Sequence, residues 1–198
     1  MRQYTGQGFV MANQGKQTTD QVLADSLKAL VLTKPVEKIT IKEITDKAGV
    51  IRPTFYNHFQ DKYELIEWII REEILGPIHP LIKNGMTNQA VLLVFTSLVR
   101  EKEFYSRLGR MGGPISFADL VVKCIKEVLL AIFSEHPRSK NGRFPWMSVD
   151  MLAEHYARSM CFAVEVWIRQ GMTVPPQEMA DMYEYLMNHS MEQAIKEF

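Results

Sequence analysis

Residues 40–59 carry a dense series of helix start and stop signals, which constrain the fold more than any other segment. Thr40 and Glu43 have the spacing of a capping box, in which each side chain satisfies a free backbone N–H group. Gly49 follows the short helix that this box opens, where a left-handed backbone needs no Cβ. Pro53 stands where the first turn of a new helix tolerates a missing N–H. The segment therefore predicts two short helices joined by a tight turn.

The rest of the chain has apolar residues at helical spacing and no alternation typical of strands, which predicts an all-α fold. We expect a first helix of about four turns from Thr18, ended by Lys34 and Pro35, and a further helix from Asp61 that stops at Gly76 and Pro77. Later helices are expected over 87–105, 116–135, 148–170 and 175–197, with breaks at 112–114 and 136–145.

Three regions follow from these patterns. Residues 1–17 lack helical periodicity and are expected to form a mobile N-terminal tail. Residues 18–75 form the expected helix-turn-helix domain with its connecting helix. Residues 76–198 form a second, more apolar helical domain, expected to serve dimerisation and ligand binding.

Composition excludes several classes of protein. The longest unbroken apolar run, 128–133, is far too short to span a membrane, and the N-terminus lacks the apolar stretch of a secretory signal, so a cytoplasmic location is expected. The two cysteines, Cys124 and Cys161, indicate neither a disulfide framework nor a metal site. Because the sequence has no phosphate-binding loop, nucleophile elbow or zinc-binding His-Glu pair, we expect neither an enzyme nor a bound cofactor or metal.

A helix-turn-helix unit can place its second helix in the major groove of DNA, although such units also serve as plain packing elements. If Ile44, Phe55 and Phe59 face the core, the polar side chains of the second helix must reach solvent. That helix carries Arg52, Pro53, Thr54, Tyr56, Asn57 and His58. Most of these side chains are hydrogen-bond donors suited to base edges or phosphates, and Thr40, Lys42 and Lys62 can approach phosphates from beside the turn.

Charge gives this interpretation little support. The whole chain has 23 basic and 23 acidic residues, and residues 34–62 hold six basic against four acidic residues, a local balance of +2. Many DNA-binding domains are considerably more basic. Affinity would therefore depend on a few contacts per subunit and on having two subunits.

Residues 39–65 closely resemble the DNA-binding signature of the TetR family of bacterial transcriptional regulators. The matching residues are Ala48, Gly49, Val50, Thr54, Phe55, Tyr56, His58, Phe59, Lys62 and Leu65. This resemblance implies that Thr40, Tyr56, His58 and Lys62 contact phosphates and that Arg52, Thr54 and Asn57 lie near base edges. Ile51 departs from the family pattern, which often has a small polar capping residue there.

The second half is similar to a Gram-positive subgroup of that family that includes a regulator of dihydroxyacetone kinase genes. The motifs that carry this similarity lie at 103–105, 115–117 and 167–172. The apolar helices at 148–170 and 175–197 are expected to pair with a second subunit as a four-helix interface, with an intrachain core as the alternative. Candidate effector-binding residues are Phe104, Tyr105, Phe117, Cys124, His155, Tyr156, Ser159 and Trp167.

These observations predict a homodimeric transcriptional regulator that binds a palindromic double-stranded DNA operator through the major groove and is a repressor released by an unknown small molecule. A co-regulator of the same fold, acting through a protein partner with little DNA affinity, is the alternative. An all-α enzyme or small-molecule carrier is a further class, and the missing catalytic motifs count against it.

Overall fold

The computed structural model describes residues 18–112, 115–134, 144 and 146–197, and every regular element among them is helical. The predicted tail at 1–17 and most of the predicted break at 136–145 lie outside the described residues. No helix within the described ranges is both long and apolar enough to cross a membrane.

The first four helices pack around one apolar core. They are α1 (Thr19–Val31), α2 (Ile41–Ala48), α3 (Arg52–His58) and α4 (Lys62–Ile69), with a short 3-10 turn (Val36–Lys38) between α1 and α2. Leu23, Leu27, Ile44, Phe55 and Leu65 are fully buried where these helices meet. Side-chain caps at Thr18, Thr40 and Asp61 fix the starts of α1, α2 and α4. The predicted helix-turn-helix arrangement is confirmed.

The helix after Asp61 continues beyond Gly76 and Pro77, so its predicted end was wrong. A π-helical turn (Ile70–Leu75) follows α4, and α5 (Gly76–Lys83) continues from it. The N–H of Gly76 bonds to the carbonyl of Arg71, five residues back. This wide turn starts a new α-helical register, and Pro77 then lies in the first turn of α5, where a missing N–H is tolerated.

Six further helices complete the described fold. They are α6 (Thr87–Arg100), α7 (Lys102–Leu108), α8 (Phe117–Ser134), α9 (Val149–Arg169), α10 (Pro176–Asn188) and α11 (Met191–Glu197). Helix α9 packs along α8, and α10 packs against α6. The π-helical turn contacts both α6 and α8, which joins the first four helices to the later ones.

Two predicted helices are each divided. The helix expected over 87–105 breaks at Glu101, whose φ of −114° and ψ of 38° leave the α-helical region. The helix expected over 175–197 breaks at His189, which has an extended backbone, and at Ser190. The N–H of Ser190 donates to the side chain of Gln193 and the N–H of Gln193 donates to the Ser190 hydroxyl, so a new helix starts there.

Candidate nucleic-acid interface

After the turn between α2 and α3, only one side of α3 packs against the core. Gly49 has a φ of +67°, and the following N–H, of Val50, donates to the carbonyl of Thr45 at 3.0 Å. This left-handed position closes α2 and turns the chain sharply. Phe55 then anchors α3 at 0% exposure, and Phe59 is buried just beyond the helix end. The opposite side of α3 is left in solvent.

The outward side of α3 presents the polar residues that the sequence placed there. Arg52, Pro53, Tyr56, Asn57 and His58 are exposed, and Thr54 is half-buried. Arg52 Nη2 donates to the Tyr56 hydroxyl at 3.2 Å, and its guanidinium carbon lies 5.9 Å from the centre of the Tyr56 ring. The Arg52 guanidinium therefore lies beside Tyr56, one helical turn further on, and remains exposed to solvent.

His58 is tied to the start of α1. Its Nδ1 lies 2.5 Å from Oδ1 of Asp20, and both side chains are about one-third exposed, at 34% and 33%. This contact joins the last turn of α3 to the first turn of α1. Asp20 could not be predicted as a partner of His58, because the two residues are far apart in the chain.

Thr40 and Lys42 lie at the exposed start of α2. Thr40 and Glu43 form the predicted capping box, and Thr40 Oγ1 also donates to Glu43 Oε2 at 2.8 Å. A hydrogen bond from Lys34, together with those from Thr40, lowers the pKa of Glu43 to about 2. Lys42 Nζ lies 2.6 Å from Asp46 Oδ2 in an exposed pair that solvent screens.

Lys62 has different partners from those implied by the family resemblance. Its ammonium donates to the carbonyls of Val36 at 2.7 Å, Glu37 at 3.1 Å and Ile39 at 2.8 Å. Burial lowers the pKa of this lysine. An ammonium group has three protons, so all of them are used on the backbone that leads into α2. In this conformation no proton of the Lys62 ammonium is left for the phosphate contact that the resemblance implies.

Ile51 is the N-cap residue of α3, and no side-chain hydrogen bond caps the helix there. Its side chain is 69% exposed. The first turn also contains Pro53, which has no N–H, and the N–H of Thr54 bonds to the carbonyl of Ile51 at 2.9 Å. The departure noted in the sequence therefore leaves an aliphatic group in solvent beside Arg52.

Charged contacts connect the first four helices to the later ones, and the sequence analysis missed them. Lys28 of α1 lies 2.6 Å from Glu73 and 2.7 Å from Glu101. Burial alone would lower the pKa of Lys28, but hydrogen bonds to Glu101 and Glu73 outweigh it and raise the pKa. In addition, the N–H of Gly112 donates to the Glu37 carboxylate at 2.7 Å.

A second such cluster lies where α4 meets α8. Glu67 is 6% exposed, and its carboxylate lies 2.7 Å from Lys123 and 3.2 Å from Arg71. Arg71 also lies 2.8 Å from Glu127. Of these contacts, only the one between Glu67 and Arg71 could be expected from the sequence, because the two residues are four positions apart on one helix face.

The candidate effector-binding residues divide into two groups. Those that are buried are Phe104, Tyr105, Phe117, Cys124 and Trp167. The Tyr105 hydroxyl has no hydrogen-bond partner among the described residues, and burial raises the pKa of Tyr105. In contrast, His155, Tyr156 and Ser159 are exposed, so they do not join the buried group within one chain. On the same helix, Ala153 and Ala157 are fully buried.

The last helices bury one side and expose another. Met179 and Tyr183 of α10 are buried, and the Tyr183 hydroxyl donates to the carbonyl of Met160 in α9. Large apolar side chains that remain exposed are Tyr156 and Phe162 of α9, Leu186 and Met187 of α10, and Met191 and Ile195 of α11. The apolar residues of the helices predicted at 148–170 and 175–197 thus lie partly in an intrachain core and partly on an exposed surface.

Comparison with known proteins gives two family matches. Residues 25–69 match the model described as bacterial regulatory proteins, tetR family, and residues 86–189 match one described as a transcriptional regulator C-terminal region. Lactococcus lactis subsp. lactis DhaS, an HTH-type dhaKLM operon transcriptional activator, is 27% identical over 46% of this chain and 48% of its own. Rhodococcus jostii KstR2, an HTH-type transcriptional repressor, is 27% identical over 42% and 43%. The matched segments span about half the length of these curated relatives.

Solved structures share the fold. The dihydroxyacetone kinase operon activator DhaS superposes with a TM-score of 0.55 at 20% identity, covering 83% of this chain and 90% of its own. Thermus thermophilus FadR, a TetR family transcriptional repressor solved with lauroyl-CoA, gives a TM-score of 0.50 at 16% identity, covering 82% and 90%. The similarity to a dihydroxyacetone kinase regulator, inferred from motifs in the second half, is confirmed.

Proposed function

The chain belongs to the tetR family of bacterial regulatory proteins and is a transcriptional regulator rather than an enzyme, and we propose that it is a homodimer that binds a palindromic operator through α3. In this proposal residues 18–75 bind DNA and residues 76–198 bind the effector and the second subunit. The protein acts as a repressor released by a small molecule. The named relatives include both an activator and repressors.

The outward side of α3 is the observation that carries this proposal. A helix anchored through Phe55 with Arg52, Tyr56 and Asn57 exposed has the shape and the donors that a major groove accommodates. Arg52 is assigned to guanine, whose O6 and N7 accept a bidentate guanidinium, and Asn57 to adenine. Thr54 lies at the edge of this base-reading group.

Phosphate contacts are assigned to the exposed groups around α3. Tyr56 and His58 lie on its exposed side, and Thr40 and Lys42 lie at the start of α2. Lys62 is assigned a positioning role, because its ammonium is bonded to three carbonyls. With few phosphate contacts per subunit, two subunits are needed for useful affinity.

The exposed apolar side chains of α9, α10 and α11 support the homodimer. Phe162 is 68% exposed and Ile195 66% exposed, and burial of such large apolar side chains against a second subunit would remove them from water. An interface across a two-fold axis uses the same surface on both subunits. It would hold two copies of α3 about 34 to 36 Å apart, the spacing of successive major grooves on one face of DNA.

The buried rings of Phe104 and Phe117, which both contact Tyr105, support a small, mainly apolar effector. Tyr105 and Trp167 are 1% and 2% exposed, and the unpartnered Tyr105 hydroxyl offers a hydrogen bond to a ligand. An unsatisfied buried hydroxyl is costly, so a ligand that accepts or donates there gains affinity. The exposed His155, Tyr156 and Ser159 are left out of this site.

We assign the coupling between effector binding and DNA binding to α4 and the π-helical turn. They contact α6 and α8 and carry Glu67 and Glu73, whose partners lie on other helices. An effector that prefers one arrangement of these contacts changes the separation of the two α3 helices. Reciprocity then requires operator DNA to weaken effector binding by the same factor.

Selection of bound duplexes from a random pool tests this function. We expect the full chain to enrich an inverted repeat with half-site centres about 10 to 10.5 base pairs apart. The Arg52→Ala/Asn57→Ala variant is the matched control, because both side chains are exposed and their loss leaves the fold intact. Failure of the wild-type chain to enrich any sequence would refute the proposal and favour action through a protein partner.

A further inference from the structure

The start of α3 differs from the starts of α1, α2 and α4. Those three helices are capped by the side chains of Thr18, Thr40 and Asp61. The N-cap residue of α3 is instead Ile51, whose side chain makes no capping hydrogen bond and is 69% exposed. Helix α3 thus lacks a stabilising side-chain cap and has an exposed large aliphatic side chain at its N-cap position.

Single exposed apolar residues are ordinary on protein surfaces, so location decides whether this one matters. Ile51 adjoins Arg52, the residue assigned to a base edge, and it lies at the end of α3 that enters a major groove first in helix-turn-helix proteins. Pro53, the exposed residue that follows Arg52, is also apolar and has no N–H. This corner of the surface, residues 51–53, thus exposes two apolar side chains beside Arg52 on an otherwise donor-rich helix face.

The two apolar residues of this corner offer no side-chain donor to a phosphate. Pro53 contributes no N–H, and the N–H of Thr54 is already bonded to the carbonyl of Ile51 at 2.9 Å. Ile51 itself has no polar atom in its side chain. In the major groove the apolar group that base pairs present is the C5-methyl of thymine.

We propose that Ile51 reads sequence by packing its side chain against the C5-methyl group of one thymine in each half-site. This inference rests on the proposed function, since it assumes that α3 enters the major groove. It adds a specificity-determining residue that makes no hydrogen bond, adjacent to the hydrogen-bonding Arg52.

The size of the effect follows from burial of one methyl group. Removing one buried carbon of this kind corresponds to about a fourfold loss of affinity per half-site, or about 0.8 kcal/mol. A symmetric substitution in both half-sites therefore weakens binding by about 15-fold. Ile51→Val keeps most of the contact, whereas Ile51→Ala and Ile51→Ser remove it.

Deoxyuridine, which differs from thymidine only by that methyl group, provides the test. Each thymine of the selected operator is replaced symmetrically in turn, and affinity for a fluorescently labelled duplex is measured by anisotropy. We expect one position at which deoxyuridine weakens wild type and Ile51→Val by about 15-fold but changes Ile51→Ala by less than about twofold. Ile51→Ser should show the same loss of methyl sensitivity while unfolding at a higher temperature, because serine restores the cap.

Several results would overturn the inference. They are wild-type binding that is insensitive to every deoxyuridine, a methyl effect that persists in Ile51→Ala and Ile51→Ser, and a selected half-site without thymine. A persistent effect would assign the methyl contact to Pro53 or Thr54. In each of these cases an operator is still bound, so the proposed function stands. If no duplex is enriched at all, the proposed function fails and this inference fails with it.

Discussion

Replacing Lys62 with methionine tests whether this lysine stabilises the fold or binds a phosphate. The Lys62 ammonium donates to the carbonyls of Val36, Glu37 and Ile39, two of these bonds being partly buried and the bond to Glu37 being exposed. Methionine retains the apolar stem and removes all three donors. The three carbonyls then lose the ammonium that they share.

The expected loss of stability follows from the two partly buried bonds. A hydrogen bond to a charged group contributes about 1.5 to 3 kcal/mol, and solvent replaces the bond to Glu37 at little cost. Two bonds at the lower end of that range give a loss of about 3 kcal/mol in the free energy of unfolding. Urea denaturation measures this loss, with an unchanged m-value if the folded and unfolded states keep their compactness.

Lys42→Met is the matched control. Lys42 is exposed, with its side chain 71% accessible and paired only to Asp46, so its loss should change stability by less than about 0.5 kcal/mol. If Lys42 contacts a phosphate in each half-site, the slope of log affinity against log salt concentration should fall by about 0.9 per subunit. Lys62→Met should leave that slope unchanged in the folded protein. A flattened slope with unaltered stability in Lys62→Met would refute the structural role.

Three other substitutions test separate parts of the structure. Gly49→Ala should destabilise the chain by about 1 to 2 kcal/mol because of its φ of +67°, whereas Gly112→Ala, with open space and no positive φ, should be nearly neutral in the same urea assay. Glu43→Gln should lower the melting temperature at pH 7. The lowered pKa of Glu43 means that its contribution is present above about pH 4.5 and is lost as pH falls towards about 2, so the two melting curves should converge there; a constant difference would contradict the assigned pKa. Leu186→Asp, at an exposed α10 position, should yield monomers in sedimentation and abolish operator binding, while Leu32→Asp, at the exposed end of α1, should remain dimeric.

The helix-turn-helix was predictable because its signals are local. Thr40, Glu43 and Gly49 specify the ends of α2 through hydrogen bonds and backbone geometry within a few residues. The outward presentation of α3 also followed from the sequence, because burying Phe55 leaves the polar residues on the other side. These inferences needed no knowledge of the rest of the molecule.

The structure differs from the sequence-based expectations where the helical hydrogen-bond register changes and where distant residues meet. Pro77 indicated a helix end, but the preceding π-helical turn changes the hydrogen-bond register and accommodates it. The partners of Lys62 are backbone carbonyls more than twenty residues away, which no spacing rule reports. Helix α9 has apolar residues on most sides, so the sequence did not indicate which face packs on α8. His155 was therefore grouped with buried residues, whereas it is exposed.

Affinity cleavage tests the central claim, the presentation of α3 to the major groove, most directly. Burial raises the pKa of Cys124 to about 12 and of Cys161 to about 11, so neither native thiol competes with an introduced surface cysteine for labelling. An iron chelate is attached at Gln60→Cys, an exposed site just after α3, or at Lys196→Cys on α11 as a control. We expect the Gln60 label to cut the selected duplex at two places about 10 to 10.5 base pairs apart and the Lys196 label to cut neither. Cleavage from Gln60 no stronger than from Lys196 would contradict the account.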